Sequence, residues 1–136
     1  MKRPEKVYLI DTNVILRYLL GDHAEFSSKA ETFMSAVSNG TRKADILDVV
    51  IVECTHVMSK YYRIPRNEIV EKLSGILNFS GIVTKGKSAI LEALLKYRDS
   101  NIDIVDCLLA SHSSPSKVVI SFDKDLKKFK AVTETL

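Results

Sequence analysis

The sequence has little of what stabilises secreted or membrane-spanning proteins. It contains two cysteines in 136 residues, Cys54 and Cys107. Both fall in apolar helical patterns without close metal-ligand spacing, which favours buried free thiols over a disulfide or a zinc site. No apolar run approaches the roughly 18 residues that span a bilayer, and no charged segment followed by an apolar one opens the chain. We therefore expect a cytoplasmic protein without a membrane partner.

Common catalytic motifs are also missing. The chain has no glycine-rich phosphate loop followed by lysine and no Gly-x-Ser-x-Gly turn, so nothing indicates a P-loop nucleotide site or an α/β-hydrolase nucleophile. The three histidines show no partner spacing for a catalytic triad, and we expect them to be core or surface residues: His23, His56 and His112.

Length and composition predict a single domain over residues 1–136 that buries a core without disulfides. Twenty basic residues against seventeen acidic ones give a net charge of +3, which alone is too small to indicate a nucleic-acid partner. Four lysines crowd the C-terminal end, either as spare charges on a solvated helix face or as contacts for a nucleic-acid backbone. These are Lys124, Lys127, Lys128 and Lys130.

The most informative stretch is Val-Tyr-Leu-Ile-Asp-Thr-Asn at 7–13. Its four apolar residues predict a short strand of a parallel sheet, buried on both faces, and a helix follows over Val14 to Leu20. Asp11 then lies where an open α/β sheet binds its ligands, beyond the carboxyl end of a strand. Alternatively, Asp11, Thr12 or Asn13 only caps the helix. An aspartyl-phosphate haloacid dehalogenase would need a second Asp where Asn13 stands.

Strands and helices alternate along the rest of the chain. Apolar residues at helical spacing predict helices over Phe26 to Val37, Val50 to Tyr61, Ile69 to Leu77, Ile90 to Tyr97 and Asp103 to His112. Shorter patterns predict strands at Ala44 to Asp48, Ile82 to Thr84, Val118 to Phe122 and Ala131 to Thr133, with a short helix from Lys124 to Lys130. Such alternation predicts an α/β protein, a three-layer α/β/α sandwich around a small, mainly parallel sheet of four or five strands.

Three further features of the sequence carry local signals. Asp22 and Glu25 have the spacing of a capping box ahead of a helix, and Pro65 stands at an expected first helical position. Glu53 lies between apolar neighbours in a predicted helix, where a carboxylate is costly unless something pairs it. We therefore expect Glu53 to have a partner.

Four acids are expected at one edge of the sheet. Asp11 and Asp123 each close a predicted strand, and Asp106 and Glu53 lie in helices that leave from the same edge. Carboxylates gathered there repel one another unless cations or protons neutralise them. Without a histidine or cysteine nearby they select Mg²⁺ or Mn²⁺, and two such ions at roughly 4 Å can hold a phosphodiester and activate water.

Each acid also has a simpler interpretation. Asp103 and Asp106 have N-cap and N3 spacing and could both support a helix N-terminus. Asp123 could cap the helix after it, and Glu53 could pair with a basic neighbour on its own helix, Lys60 or His56. Four independent caps would have no reason to fall on one sheet edge, which favours the shared site.

These motifs together resemble a PIN domain, and more closely the VapC-type toxins of bacterial and archaeal toxin–antitoxin pairs. The matching pieces are Leu-Ile-Asp-Thr-Asn at 9–13, Glu53, Asp-Cys-Leu-Leu-Ala at 106–110 and Ser-Phe-Asp-Lys-Asp-Leu at 121–126. The resemblance covers essentially the whole chain. It implies a Mg²⁺- or Mn²⁺-dependent endoribonuclease, a homodimer, and inhibition by a small antitoxin that inserts a segment into the acidic site.

The resemblance also implies roles for single residues. The catalytic metal ligands would be Asp11, Glu53, Asp106 and Asp123, with Asp11 and Asp106 binding the main ion most directly. Hydroxyl and amide groups that orient these carboxylates would come from Thr12, Asn13 and Ser121, where Ser121 replaces the more usual threonine. Two extra acids, Asp103 and Asp125, could substitute for a member of the quartet. Asp103 would be an outer ligand or a ligand of a second ion, and Asp125 is expected to face solvent.

The expected reaction is in-line attack of water on single-stranded RNA, with the ions and not a protein base supplying most of the activation. Arg17 and the lysines between 124 and 130 are candidates for holding the RNA backbone. Two alternatives remain: a housekeeping RNA-processing PIN nuclease without an antitoxin, and a PIN-like binding module without catalysis. A small reading frame immediately upstream would separate toxin from housekeeping enzyme, and the filled acidic positions argue against a silent module.

Overall fold

The structure, a computed structural model, describes residues 5–129 and 131–136 and leaves out the side chain of Asp125. The chain divides into two compact units, of which the first ends at Lys85 and the second covers Gly86–Leu136. Within the described ranges, no helix is both long and apolar enough to span a membrane. The expectation of a single domain over 1–136 stays a prediction.

In its described part, which begins at residue 5, the first unit is a small parallel sheet with four α-helices. Its elements are β1 (Val7–Leu9), α1 (Thr12–Leu20), α2 (Ala24–Ser38), β2 (Lys43–Asp45), α3 (Asp48–His56), a π-helical turn (Val57–Tyr61) and α4 (Arg66–Leu77). Strand β2 lies in the middle, because Ala44 pairs in parallel with Tyr8 on one side and with Ile82 on the other. The strand expected at 82–84 is reduced to that bridge.

Helix α4 confirms the periodic pattern that predicted it. The four apolar residues of its stripe are all buried: Ile69, Leu73, Ile76 and Leu77. Helix α1 is also confirmed and ends at Gly21, whose left-handed backbone (φ 61°) is the usual conformation after the last turn of a helix. Both helices form because an apolar stripe at 3.6-residue spacing is buried on one side.

Strand β1 is less buried than its composition predicts. Val7 and Leu9 are 50% and 67% exposed, and only Ile10, just after the strand, is buried. The expectation of a strand buried on both faces is therefore wrong for β1. A run of apolar residues reports side-chain chemistry, whereas burial depends on which elements of the fold cover the strand.

Two helix starts also differ from their sequence signals. Helix α2 begins after His23, whose Nδ1 accepts a hydrogen bond from the N–H of Phe26 at 3.1 Å, so the capping box predicted at Asp22 is wrong. The Asp22 carboxylate is engaged by Arg17 instead, at 3.0 Å. Pro65 is the N-cap of α4 and not its first helical residue, with an extended backbone (ψ 153°).

The described residues of the second unit, 86–129 and 131–136, form two α-helices, a short strand pair and a 3-10 helix. Its elements are α5 (Lys87–Arg98), α6 (Ile104–His112), β3 (Val119–Ser121), a 3-10 helix (Asp125–Phe129) and β4 (Thr133–Thr135). Helices α5 and α6 pack together, and β3 and β4 are parallel. A small core joins α6, β3 and the 3-10 helix through Ala110, Val119 and Leu126.

Three expectations for this unit need correction. Of the strand predicted as strongly buried, only Val119 is buried, while Val118, Ile120 and Phe122 are exposed. The last strand lies two residues later than expected, and the short helix is a 3-10 helix that ends at Phe129, with Lys130 outside the described residues. Short, partly exposed segments carry too little periodicity to locate their ends.

The α/β class is confirmed, with six α-helices and parallel strand pairing among the described residues. The sheets are smaller than expected. The described strands form one two-stranded sheet in each unit instead of a sheet of four or five strands. Each strand has only three residues, so each ladder ends after a few hydrogen bonds.

Gly81 provides a test of this packing. A Cβ at Gly81 would overlap the carbonyl oxygens of Arg42 and Val37, so Gly81→Ala should destabilise the protein by about 2 kcal/mol or more. The control is Gly75→Ala in α4, where nothing lies within 4 Å of the new methyl group and helix propensity predicts a gain of about 1 kcal/mol. Urea unfolding measures both, and a Gly81→Ala variant as stable as the parent would contradict this account.

Candidate active site

Asp11 lies between β1 and α1 and caps the helix. Its backbone is extended, and its Oδ1 accepts a hydrogen bond from the N–H of Thr12 at 2.9 Å. Of the alternatives that the sequence left open, Asp11 itself is therefore the N-cap. Capping uses only part of the hydrogen-bonding capacity of the carboxylate, because its two oxygens offer about four acceptor sites. The Asp11 side chain is exposed, Thr12 is buried and Asn13 is exposed, so Asp11 and Asn13 are open to a ligand.

Glu53 lies in α3 and is exposed. The expectation of an apolar environment around Glu53 is wrong, because its neighbours in sequence point elsewhere. Residues 51 and 54 of the same helix are buried and residue 49 is exposed. At 100° per residue, Glu53 falls on the solvent side while Cys54 falls on the core side.

The Cys54 thiol is influenced electrostatically by both Glu53 and Asp11. Burial, and to a smaller extent the negative charges of Glu53 and Asp11, raise the pKa of this thiol to about 12. Both carboxylates thus act on one buried sulfur, although Asp11 ends a strand and Glu53 lies in a helix 42 positions later. Within the first unit, two of the four predicted acids therefore lie close enough to one buried thiol to act on it electrostatically.

This donor set fits a hard divalent cation. The high pKa keeps Cys54 protonated at neutral pH, and a thiol is a poor metal ligand compared with a thiolate. The oxygens of Asp11 and Glu53 are left as donors, and carboxylate oxygen is the ligand that Mg²⁺ and Mn²⁺ prefer. Two carboxylates also offer the local negative charge that such an ion neutralises.

A cleft of about 410 Å³ opens beside Asp11. Residues from β1, α1 and α2 line it, with aromatic walls from Tyr8, Phe26 and Phe33. Tyr8 and Phe33 meet edge to face at 5.5 Å, and Phe26 is 54% exposed. The first unit thus places an apolar, aromatic surface next to one of its acidic residues.

Arg17, a candidate for holding an RNA backbone, also lines the cleft. Its guanidinium already has partners in the first unit: one nitrogen lies 3.0 Å from Asp22, and the other donates to the Tyr62 hydroxyl at 3.2 Å. Arg17 is therefore committed to contacts within the protein. Nothing in the sequence indicates this group, because Tyr62 stands 45 positions after Arg17.

In the second unit, Asp103 and Asp106 take different places on α6. Asp103 is the N-cap, and its Oδ1 accepts a hydrogen bond from the N–H of Val105 at 2.9 Å. Asp106 lies in the first turn and is half-buried. The capping role proposed for Asp103 is confirmed, whereas Asp106 lies three residues further along the helix.

Asp123 follows β3 and is exposed. Its backbone N–H donates to the hydroxyl of Ser121 at 2.9 Å. Ser121 was expected to orient the carboxylate of Asp123 with its hydroxyl. In the structure this hydroxyl binds the backbone of Asp123. Among the nearby lysines, Lys124, Lys127 and Lys128 are exposed.

Each unit contains two of the four predicted acids: Asp11 and Glu53 in the first, Asp106 and Asp123 in the second. Within either unit alone, the described residues contain no group of three or more histidine, cysteine or acidic side chains arranged to hold a metal ion.

Comparison with known proteins agrees with the motifs. The model of the PIN domain family matches residues 8–132. A VapC ribonuclease of Aquifex aeolicus (strain VF5) is 30% identical over 128 residues, which cover 91% of this chain and 94% of that protein. The family match runs through both units and includes all four predicted acids, which confirms the resemblance seen in the motifs. The chain belongs to the PIN domain family.

Proposed function

We propose that this chain is a divalent-metal-dependent endoribonuclease and the toxin component of a type II toxin–antitoxin module. The observation that carries the proposal is the position of Asp11, an exposed carboxylate that follows β1 and caps α1, while the exposed Glu53 lies on α3, the helix that packs against α1. Membership of the PIN family and similarity to a protein named VapC ribonuclease support the same reaction.

The proposed catalytic ligands are Asp11, Glu53, Asp106 and Asp123. When bound, Mg²⁺ or Mn²⁺ supplies charge neutralisation at the phosphate and lowers the pKa of water. These carboxylates would hold an ion through their oxygens, and the hydrogen bond from the N–H of Thr12 orients Asp11. Ser121 holds the backbone of Asp123, and Asn13 offers an exposed amide beside Asp11.

The proposed substrate is single-stranded RNA. Three exposed lysines follow Asp123 in the second unit and supply positive charge for the phosphate backbone: Lys124, Lys127 and Lys128. Contacts to phosphate groups bind RNA without recognising its base sequence. Arg17 is removed from this set because its guanidinium is already bound to Asp22 and Tyr62.

The proposed partners are a small antitoxin and a second copy of the chain, in the cytoplasm. The antitoxin would insert a segment at the acidic site and compete with RNA for it. Similarity to the relative named as a VapC ribonuclease supports the antitoxin, whereas the second copy is proposed from the resemblance of the motifs alone.

A nuclease assay on total RNA tests the function. We expect cleavage in Mn²⁺ or Mg²⁺, complete loss with EDTA, and recovery when either ion is added in excess, because carboxylate oxygens bind both. Cleavage that persists in EDTA would contradict the metal requirement, and no cleavage in any ion would favour a binding module. Addition of the product of a small upstream reading frame should suppress cleavage if the chain is a toxin; unimpaired cleavage would favour a housekeeping nuclease.

A further inference from the structure

Three side chains of the first unit form a closed hydrogen-bonded triangle. Arg17 lies 3.0 Å from Asp22, Arg17 donates to the Tyr62 hydroxyl at 3.2 Å, and that hydroxyl donates to Asp22 at 2.8 Å. Both bonds to the carboxylate are charge-assisted, which makes them stronger than neutral ones. The Arg17–Asp22–Tyr62 triangle joins α1, the loop after it and the residue after the π-helical turn.

The π-helical turn places Tyr62 in the triangle. The N–H of Tyr62 donates to the carbonyl of Val57 at 3.2 Å, five residues back. One additional residue per turn rotates the succeeding side chains by about 100° relative to a continuous α-helix. As a result Tyr61, which the helical stripe predicted as apolar-facing, is 79% exposed, and Tyr62 is half-buried against Arg17. The backbone of Arg63, the next residue, has a φ of 53°, which is an uncommon value for a residue other than glycine.

The helices that the triangle joins carry the acidic pair. Asp11 caps α1, and Glu53 lies in α3, which the π-helical turn continues. Helices α1 and α3 also pack directly. The carboxylates of Asp11 and Glu53 repel each other when no cation lies between them. The distance between them then depends on how firmly α1 and α3 are held together.

We propose that the Arg17–Asp22–Tyr62 triangle positions Asp11 and Glu53 for a shared divalent cation by holding α1 against the continuation of α3. This inference rests on the proposed function. The three residues of the triangle are positioning residues, since they act through the helices and not on the ion. The π-helical turn contributes to the same positioning because it directs the Tyr62 hydroxyl toward Arg17.

The test is Tyr62→Phe, with Tyr61→Phe as the matched control. Tyr62→Phe removes the hydroxyl that makes two of the three contacts and keeps the ring, which meets Tyr61 edge to face at 5.1 Å. Tyr61→Phe removes a neighbouring hydroxyl that is exposed. Calorimetric titration of the full chain with Mn²⁺ alone gives the dissociation constant without RNA. Initial rates on an RNA oligonucleotide then give kcat and KM at limiting and at excess Mn²⁺.

We expect Tyr62→Phe to weaken Mn²⁺ binding about fivefold, the scale of one lost hydrogen bond. At limiting Mn²⁺ kcat should fall in parallel, and excess Mn²⁺ should restore it, while KM for RNA stays unchanged. Tyr61→Phe should match the parent in all three quantities. A role confined to stability would lower the melting temperature of Tyr62→Phe and leave its Mn²⁺ affinity equal to that of Tyr61→Phe, which would overturn the inference.

A second variant decides the matter if Tyr62→Phe does not fold. Asp22→Asn keeps the shape of the side chain and removes the charge from two contacts of the triangle, and Mn²⁺ affinity equal to the control would again overturn the inference. A parent protein that binds no Mn²⁺ and cleaves no RNA would overturn the proposed function itself, and this inference with it. The two failures are therefore distinguishable.

Discussion

Replacing Asp11 with asparagine should abolish metal-dependent RNA cleavage without destabilising the protein. The amide cannot supply the negative charge that holds a divalent ion, and we expect the rate to fall by at least about 100-fold, the scale seen when one electrostatic contact to a reacting group is removed. Asparagine is as good an N-cap as aspartate, so its side-chain oxygen can still accept the N–H of Thr12. The change also removes one of the two charges that act on Cys54.

Rate and stability therefore separate in this variant. Loss of repulsion between Asp11 and Glu53 should leave the melting temperature in EDTA equal to the parent's or higher. The control is Glu31→Gln, which removes the same charge from an exposed position of α2 and should cleave as the parent does. Initial rates on a fluorescent RNA and thermal melts in EDTA measure both properties. An Asp11→Asn variant that cuts as fast as the parent would contradict the assignment of Asp11.

The helices of this fold were predictable because their apolar stripes are long enough to be read. In α4 the four residues of the stripe are buried, and in α6 the N-cap Asp103 is the residue that its spacing indicated. The strands were harder to predict. A three-residue strand shows neither a full alternation nor a clear end, and burial on both faces did not follow from the apolar residues of β1 or β3.

Two features of the first unit lay beyond sequence reasoning for definite reasons. The capping box at Asp22 failed because the Arg17 guanidinium engages that carboxylate, a contact between elements that outweighs a local preference. The stripe that ended at Tyr61 failed because it assumed 3.6 residues per turn through a π-helical segment (Val57–Tyr61). No composition rule gives the position of a π-helical turn, and every residue after it is displaced.

The sequence predicted candidate residues for the site but not their surroundings. Position after a strand made Asp11 a candidate, the order of the motifs made Glu53 another, and their role as metal ligands stays a prediction. The sequence did not show that Glu53 is exposed or that both acids act on the Cys54 thiol. Both facts depend on how α1 and α3 pack, which involves residues about 40 positions apart.

In the second unit, the largest expected effect is the difference between Asp106 and Asp103. Both acids lie at the start of α6, and the sequence left open which of them serves the reaction. Asp103 already supports the helix through the N–H of Val105 and, with its carbonyl, through the N–H of Cys107 at 3.1 Å. We expect Asp106→Asn to lower RNA cleavage by at least about 100-fold and Asp103→Asn to leave it little changed.

The stability of the same variants provides the control. Asparagine caps as well as aspartate, so Asp103→Asn should melt with the parent, whereas Asp103→Ala should lose about 1 kcal/mol of folding free energy. Asp106→Asn should keep the fold, because the N-cap remains in place. Cleavage at saturating Mn²⁺ and urea unfolding give the two quantities for each variant. If Asp103→Asn loses as much activity as Asp106→Asn, then the cap residue takes part in the reaction and the assignment of Asp106 alone is wrong.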